Sequence, residues 1–97
     1  MNRFSITKQP SEVLKSTALK LREIRKGENY SQVELAERSG VSLGSLKRFE
    51  SSGHISMESF LKLLHILNRL EEFDSILKQE TDLKAIEKLF STTTTKR

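Results

Sequence analysis

The stretch Ser31-Gln-Val-Glu-Leu-Ala-Glu-Arg-Ser-Gly40-Val-Ser-Leu-Gly-Ser-Leu-Lys-Arg-Phe-Glu50 holds two helix starts and the turn between them, and its reading decides the fold. Ser31 is placed to cap a helix whose third residue is Glu34, the reciprocal serine–glutamate capping arrangement. Tyr30 and Leu35 occupy the two positions of a hydrophobic staple across that start. Ser42 repeats the cap, with Val41 and Leu46 as its staple. Gly40 falls where a tight turn needs a positive φ, which glycine adopts without strain. Ala36 lies where the two helices would cross, and its small side chain lets them approach closely. The stretch therefore predicts a helix over 32–39, a short turn, and a second helix over 43–51.

Working outward, Ser56 repeats the cap once more, with Ile55 and Phe60 as the staple, and opens a helix over 57–67. Asn68 suits the left-handed terminator that follows it. A fifth helix over 70–78 offers Leu70, Phe73, Ile76 and Leu77 to a core. Upstream, Pro10 and Ser11 make a helix start, proline for its tolerated first-turn position and serine as a cap. Leu14, Ala18, Leu21 and Ile24 then recur at helical spacing until Gly27, Glu28 and Asn29 end the segment. With one proline, four glycines and helical periodicity in block after block, the expected class is all-α. Three segments result. Residues 1–9 form a flexible or partly docked N-terminal arm with Phe4 and Ile6 as its only apolar anchors. Residues 10–78 form a five-helix domain. Residues 79–97 add a helical appendage capped by Thr81 and ending in a tail that frays.

Composition narrows the function classes. Ninety-seven residues suffice for one compact domain and little more. The absence of cysteine removes disulfides, thiolate metal sites and thiol catalysis, and fits a reducing cytoplasm. No run is long and apolar enough for a membrane span or a secretory leader. His54 and His65 are far apart and lack partners at metal-ligand spacing. Neither a glycine-rich phosphate loop nor a serine elbow occurs, so no catalytic residue, metal or cofactor is expected. The net charge of +4 permits a polyanionic partner but does not select one.

A helix, short turn and helix of this kind lifts its second helix so that it can enter a DNA major groove. With Leu46 turned inward, a rotation of ~100° per residue sets Gly44, Lys47 and Arg48 outward and Leu43 on the boundary. Lys47 and Arg48 suit guanine edges or phosphates, and otherwise form a solvated charged face. Leu43 either packs with Leu46 and Phe49 or meets a thymine methyl. Gly44 has no side chain to read with. Its use is close backbone approach, since glycine within a helix costs about 1 kcal/mol against alanine.

Residues 18–78 resemble the helix-turn-helix family of phage repressor and Cro proteins and the XRE regulators grouped with them. The resemblance is carried by Gln32, Leu35, Ala36, Gly40, Val41, Ser42, Leu46 and Glu50 at the family's spacing. It implies a lambda-repressor-like five-helix domain that binds double-stranded DNA. It also implies that Gln32 holds a phosphate, that Ser42 touches backbone or base as well as capping, and that Arg25 and Glu50 form a structural ion pair. The DNA-facing set so expected is Gln32, Ser42, Leu43, Gly44, Ser45, Lys47 and Arg48, with Lys26, Arg38, Ser51 and Ser52 as lesser phosphate candidates. A homodimer on a palindromic operator is implied too, and a cytoplasmic, nucleoid-associated place in the cell.

A narrower resemblance, to HipB-like antitoxins, rests on Ser42-Leu43-Gly44-Ser45-Leu46-Lys47-Arg48-Phe49-Glu50, then Gly53, Ile55-Ser56 and Leu70-Glu71-Glu72-Phe73. It implies autoregulation of an operon and a HipA-type kinase toxin as partner. The tail departs from that group, reading as a helix where its members carry a dimer-forming strand. Its stripe of Leu83, Ile86 and Phe90 either packs back on the domain or forms a subunit or partner interface. The alternatives are an orphan prophage or host regulator without a toxin, and a protein-interaction module on the same fold that does not read DNA.

Overall fold

The computed structural model describes residues 8–77. Five helices follow one another: α1 (Pro10–Gly27), α2 (Gln32–Ser39), α3 (Leu43–Ser52), α4 (Met57–Ile66) and α5 (Leu70–Asp74), with no strand among the described residues. The all-α expectation holds. The N-terminal arm to Thr7, and the C-terminal appendage with Leu83, Ile86 and Phe90, lie outside the described residues.

Serine hydroxyls start three of the helices. Ser31 Oγ accepts the Glu34 backbone N–H at 3.0 Å, and Glu34 Oε1 accepts the Ser31 N–H at 2.9 Å. Ser42 and Ser56 accept from the backbone N–H groups of Ser45 and Ser59, each at 3.1 Å, without the reciprocal half. Such a cap contributes ~1 kcal/mol by satisfying a donor the helix itself cannot. The start of α1 differs from the expected serine cap. Gln9 is the N-cap, its backbone N–H donating to Glu12 Oε1 at 3.1 Å. Ser11 already lies inside the first turn, because Pro10 has taken the first helical position.

α1 packs on α3, and α2 packs on both α3 and α4. The core where they meet is Ala18, Leu21, Leu35, Ala36, Val41, Leu46, Phe49, Leu63, Leu64 and Leu67. Each fully buried leucine or phenylalanine there contributes roughly 1.5–3 kcal/mol by leaving water. Ala36 is buried between α2 and its neighbours, and Gly40 closes α2 with φ +81°. Asn68 terminates α4 at φ +62°. Phe49, Phe60 and Phe73 stand in an edge-to-face row, with ring centroids 5.7 and 6.0 Å apart, that ties α3 to α4 and α4 to α5.

α5 stops earlier than the sequence pattern suggests. Phe73 finds the row of rings, but Leu70 is exposed at its edge, and Ile76 and Leu77 face solvent instead of the core. Past Asp74 the bonds tighten to turns, Ser75 N–H to the Glu72 carbonyl at 3.3 Å and Ile76 N–H to the Phe73 carbonyl at 3.1 Å. Leu14, expected on the core face of α1, also lies at its exposed margin. Its backbone is nevertheless held close, for a Cβ built at Gly53 would sit 2.7 Å from the Leu14 carbonyl.

Candidate nucleic-acid interface

α3 carries most of the predicted set, and its inward and outward faces separate cleanly. Leu46 and Phe49 are buried, so their anchoring fixes the rotation of the helix. Ser42, Gly44, Ser45, Lys47 and Arg48 are exposed, and Leu43 is half-buried with its inner side packed on the core. Leu43 therefore spends part of its surface on packing. Only the remainder is free for a ligand. Lys47 and Arg48 pair with no carboxylate among the described residues. Outside its chain neighbours and its own helix backbone, nothing in the described domain lies within 4 Å of the position a Gly44 Cβ would take, so no packing contact requires glycine there.

Ser42 Oγ accepts the Ser45 N–H and donates to Ser45 Oγ at 3.0 Å, so its one proton is used internally. The Ser45 hydroxyl keeps its own proton for an outside acceptor. At the other end of α3, Ser51 and Ser52 hydroxyls both donate to the Arg48 carbonyl, at 3.2 and 2.7 Å. Arg38 lies away from this face, its guanidinium 5.1 Å from the centre of the Tyr30 ring.

Beneath the interface sits one polar network. Arg25, on the last turn of α1, grips Glu50 through two parallel bonds: Nε to Oε2 at 2.7 Å and Nη2 to Oε1 at 3.1 Å. Its third donor, Nη1, reaches the Tyr30 carbonyl at 2.8 Å. Both side chains are nine-tenths or more buried, so neither charge is offered to solvent. Glu50 Oε1 also accepts from Gln32 Nε2 at 2.9 Å. The carboxylate thereby joins the end of α1, the start of α2 and the end of α3. Gln32 is half-buried, with one amide N–H spent on Glu50 and one left over.

An open groove of about 480 Å³ lies over this network, lined by Arg22, Arg25, Ser31, Gln32, Lys47, Glu50 and Ser51. Arg22 and Lys47 supply its exposed cations, while Arg25 is neutralised by Glu50. Ser31 and Gln32 bring the start of α2 to the groove wall, where the first helical N–H groups have no intrahelical acceptor and favour an anion. Arg22 was not singled out by sequence, although it stands one helical turn before Arg25 on the same side of α1. That spacing was the available signal. Gln32, Lys47 and Ser51 meet at the groove, whereas Leu43, Gly44 and Arg48 do not line it.

A helix-turn-helix family model matches residues 21–73, more than half of the chain, and spans α2, the turn and α3 together with most of their support. No curated protein and no solved structure matches.

Proposed function

The chain belongs to the XRE-type helix-turn-helix family of DNA-binding transcription regulators, and we propose that it is a sequence-specific repressor that binds a palindromic operator as a homodimer. The observation that carries this reading is the outward face of α3, where two cations without a carboxylate partner among the described residues lie one helical turn after a glycine that no other part of the described domain crowds. In this reading the groove over the start of α2 takes a DNA phosphate. Gln32 donates its remaining amide N–H, and Arg22 and Lys47 supply charge. Arg48 and Ser45 face base edges, Gly44 lets the backbone come close, and the outer edge of Leu43 meets a thymine methyl. Ser42 serves as the cap that holds the helix start in register. Two such helices would sit in major grooves ~34 Å apart, and occupancy of a promoter represses without chemistry.

The test is titration of the protein's own promoter fragment against random DNA of equal length at physiological salt. Preferential binding is expected, with affinity falling as salt rises by a slope of roughly 0.9 per phosphate held. Equal binding to both fragments would leave the protein-interaction module as the better reading.

A narrower reading, a HipB-like antitoxin that autoregulates its operon and restrains a HipA-type kinase, is supported by the string from Ser42 to Glu50 and by Leu70-Glu71-Glu72-Phe73. In it, Leu83, Ile86 and Phe90 serve as the partner interface. A kinase-like reading frame beside the gene and a co-purifying kinase are its expected signs. Absence of both would favour an orphan regulator.

A further inference from the structure

A second groove, of about 270 Å³, lies away from the basic one. Val13 and Leu14 of α1, Ile55, and Met57 and Phe60 of α4 line it together with the buried Phe49, and none of its described lining residues is charged. Val13, Leu14 and Met57 are 44%, 37% and 63% exposed, so this is an uncovered apolar surface rather than a closed core. Contiguous apolar patches of this kind mark places where something docks.

The chain outside the described residues supplies an occupant beside the groove. Seven residues, Met1-Asn-Arg-Phe-Ser-Ile-Thr7, precede Lys8. Phe4 and Ile6 alternate with Ser5 and Thr7. This period of two puts both apolar side chains on one face of an extended segment and both hydroxyls on the other. The chain enters α1 at Pro10, and Val13 and Leu14 lie only ~5 Å further along the helix axis. Six residues from Phe4 to Pro10 span up to ~20 Å, ample to double back. Gln9 is extended, at φ −81° and ψ 149°, so the chain departs from the helical path there. The competing stripe of Leu83, Ile86 and Phe90 follows α5, which contributes no residue to this groove.

We propose that the N-terminal segment folds back along α1 as an extended strap, seating Phe4 and Ile6 in the groove between α1 and the start of α4. The surface is thereby covered by the chain's own arm, independently of whether α3 reads DNA.

The chain has two methionines, Met1 and Met57, so the Met57 ε-methyl is a readily assigned reporter. In the full-length protein with labelled methyl groups, nuclear Overhauser cross-peaks are expected between the Phe4 ring and the Met57 methyl. Phe4→Ser should remove them and move the Met57 methyl resonance toward its solvent-exposed position, with the remaining core methyl resonances unchanged. An unmoved Met57 resonance in Phe4→Ser would overturn the proposal. So would cross-peaks to Met57 from Leu83 or Phe90, or cross-peaks appearing only between two differently labelled copies.

Discussion

The two ends of α3 face opposite demands. At its C-terminal end everything is committed: Phe49 is buried, Glu50 is bonded to Arg25 and Gln32, and Gly53 has φ +87° with the Leu14 backbone pressed against it. Toward its N-terminal end the inner side is held by the Ser42 cap, the buried Leu46 and the packed side of Leu43, but the outer side is uncommitted: Gly44, Lys47 and Arg48 face outward, and neither cation has a carboxylate partner among the described residues. One ten-residue helix thus has a C-terminal end tied to α1 and α2 and, toward its start, an outer face left for a ligand. The two glycines make the contrast sharpest. Gly53 is required by its neighbours, whereas Gly44 has none.

Substitutions at the anchored end should produce the largest effects, on folding. Glu50→Ala would strand the Arg25 guanidinium, nine-tenths buried, without its counter-charge, and chemical denaturation should register a loss of about 3–5 kcal/mol. That is a large share of the total for a domain of this size. Gly53→Ala follows, at roughly 2–4 kcal/mol, from the left-handed backbone together with the overlap with Leu14. A melting temperature unmoved by either change would break the contrast.

Substitutions at the free end should leave folding alone and act on DNA. Lys47→Ala and Arg48→Ala are each expected to lower promoter affinity by about 1–3 kcal/mol, with thermal stability within roughly 0.5 kcal/mol of the parent. If Lys47 holds a phosphate, as its place in the groove suggests, its loss weakens all sequences alike and reduces the salt slope by ~1. Loss of a base reader at Arg48 instead relaxes one position of the operator. The smallest effect is the most discriminating. Gly44→Ala should stabilise the fold by ~0.5–1 kcal/mol, since alanine is the better helix former and meets nothing there, while weakening DNA binding. Stability and affinity moving together would contradict a functional use of Gly44.

The fold was legible where its causes are local. Serine caps, staples and the turn glycine at position 40 each depend on residues within five positions, so the sequence displays them directly. Gly53 was not legible as a structural requirement, because the group that forbids a side chain there belongs to Leu14, far back in the chain. The Gln32–Glu50 bond was hidden for the same reason. It needs two helix ends brought together by Arg25. α5 was overextended because helical periodicity continues through Ile76 and Leu77, yet no packed surface meets them. At the interface, the rotation of α3 followed from Leu46 and Phe49, and with it the outward residues. The depth of Leu43 and the approach of Arg22 to the groove depended on tertiary packing that periodicity does not encode.

The central claim is that the free end of α3, with the start of α2, is the surface that meets DNA. Backbone amide shifts of the full chain, followed as its own promoter fragment is added, test that most directly. The account predicts the largest changes at Gln32, Val33 and Ser42 through Arg48, and little change at Val13, Leu14, Met57 and Phe60. Changes concentrated on those last four residues, with Gly44 and Arg48 unmoved, would contradict it.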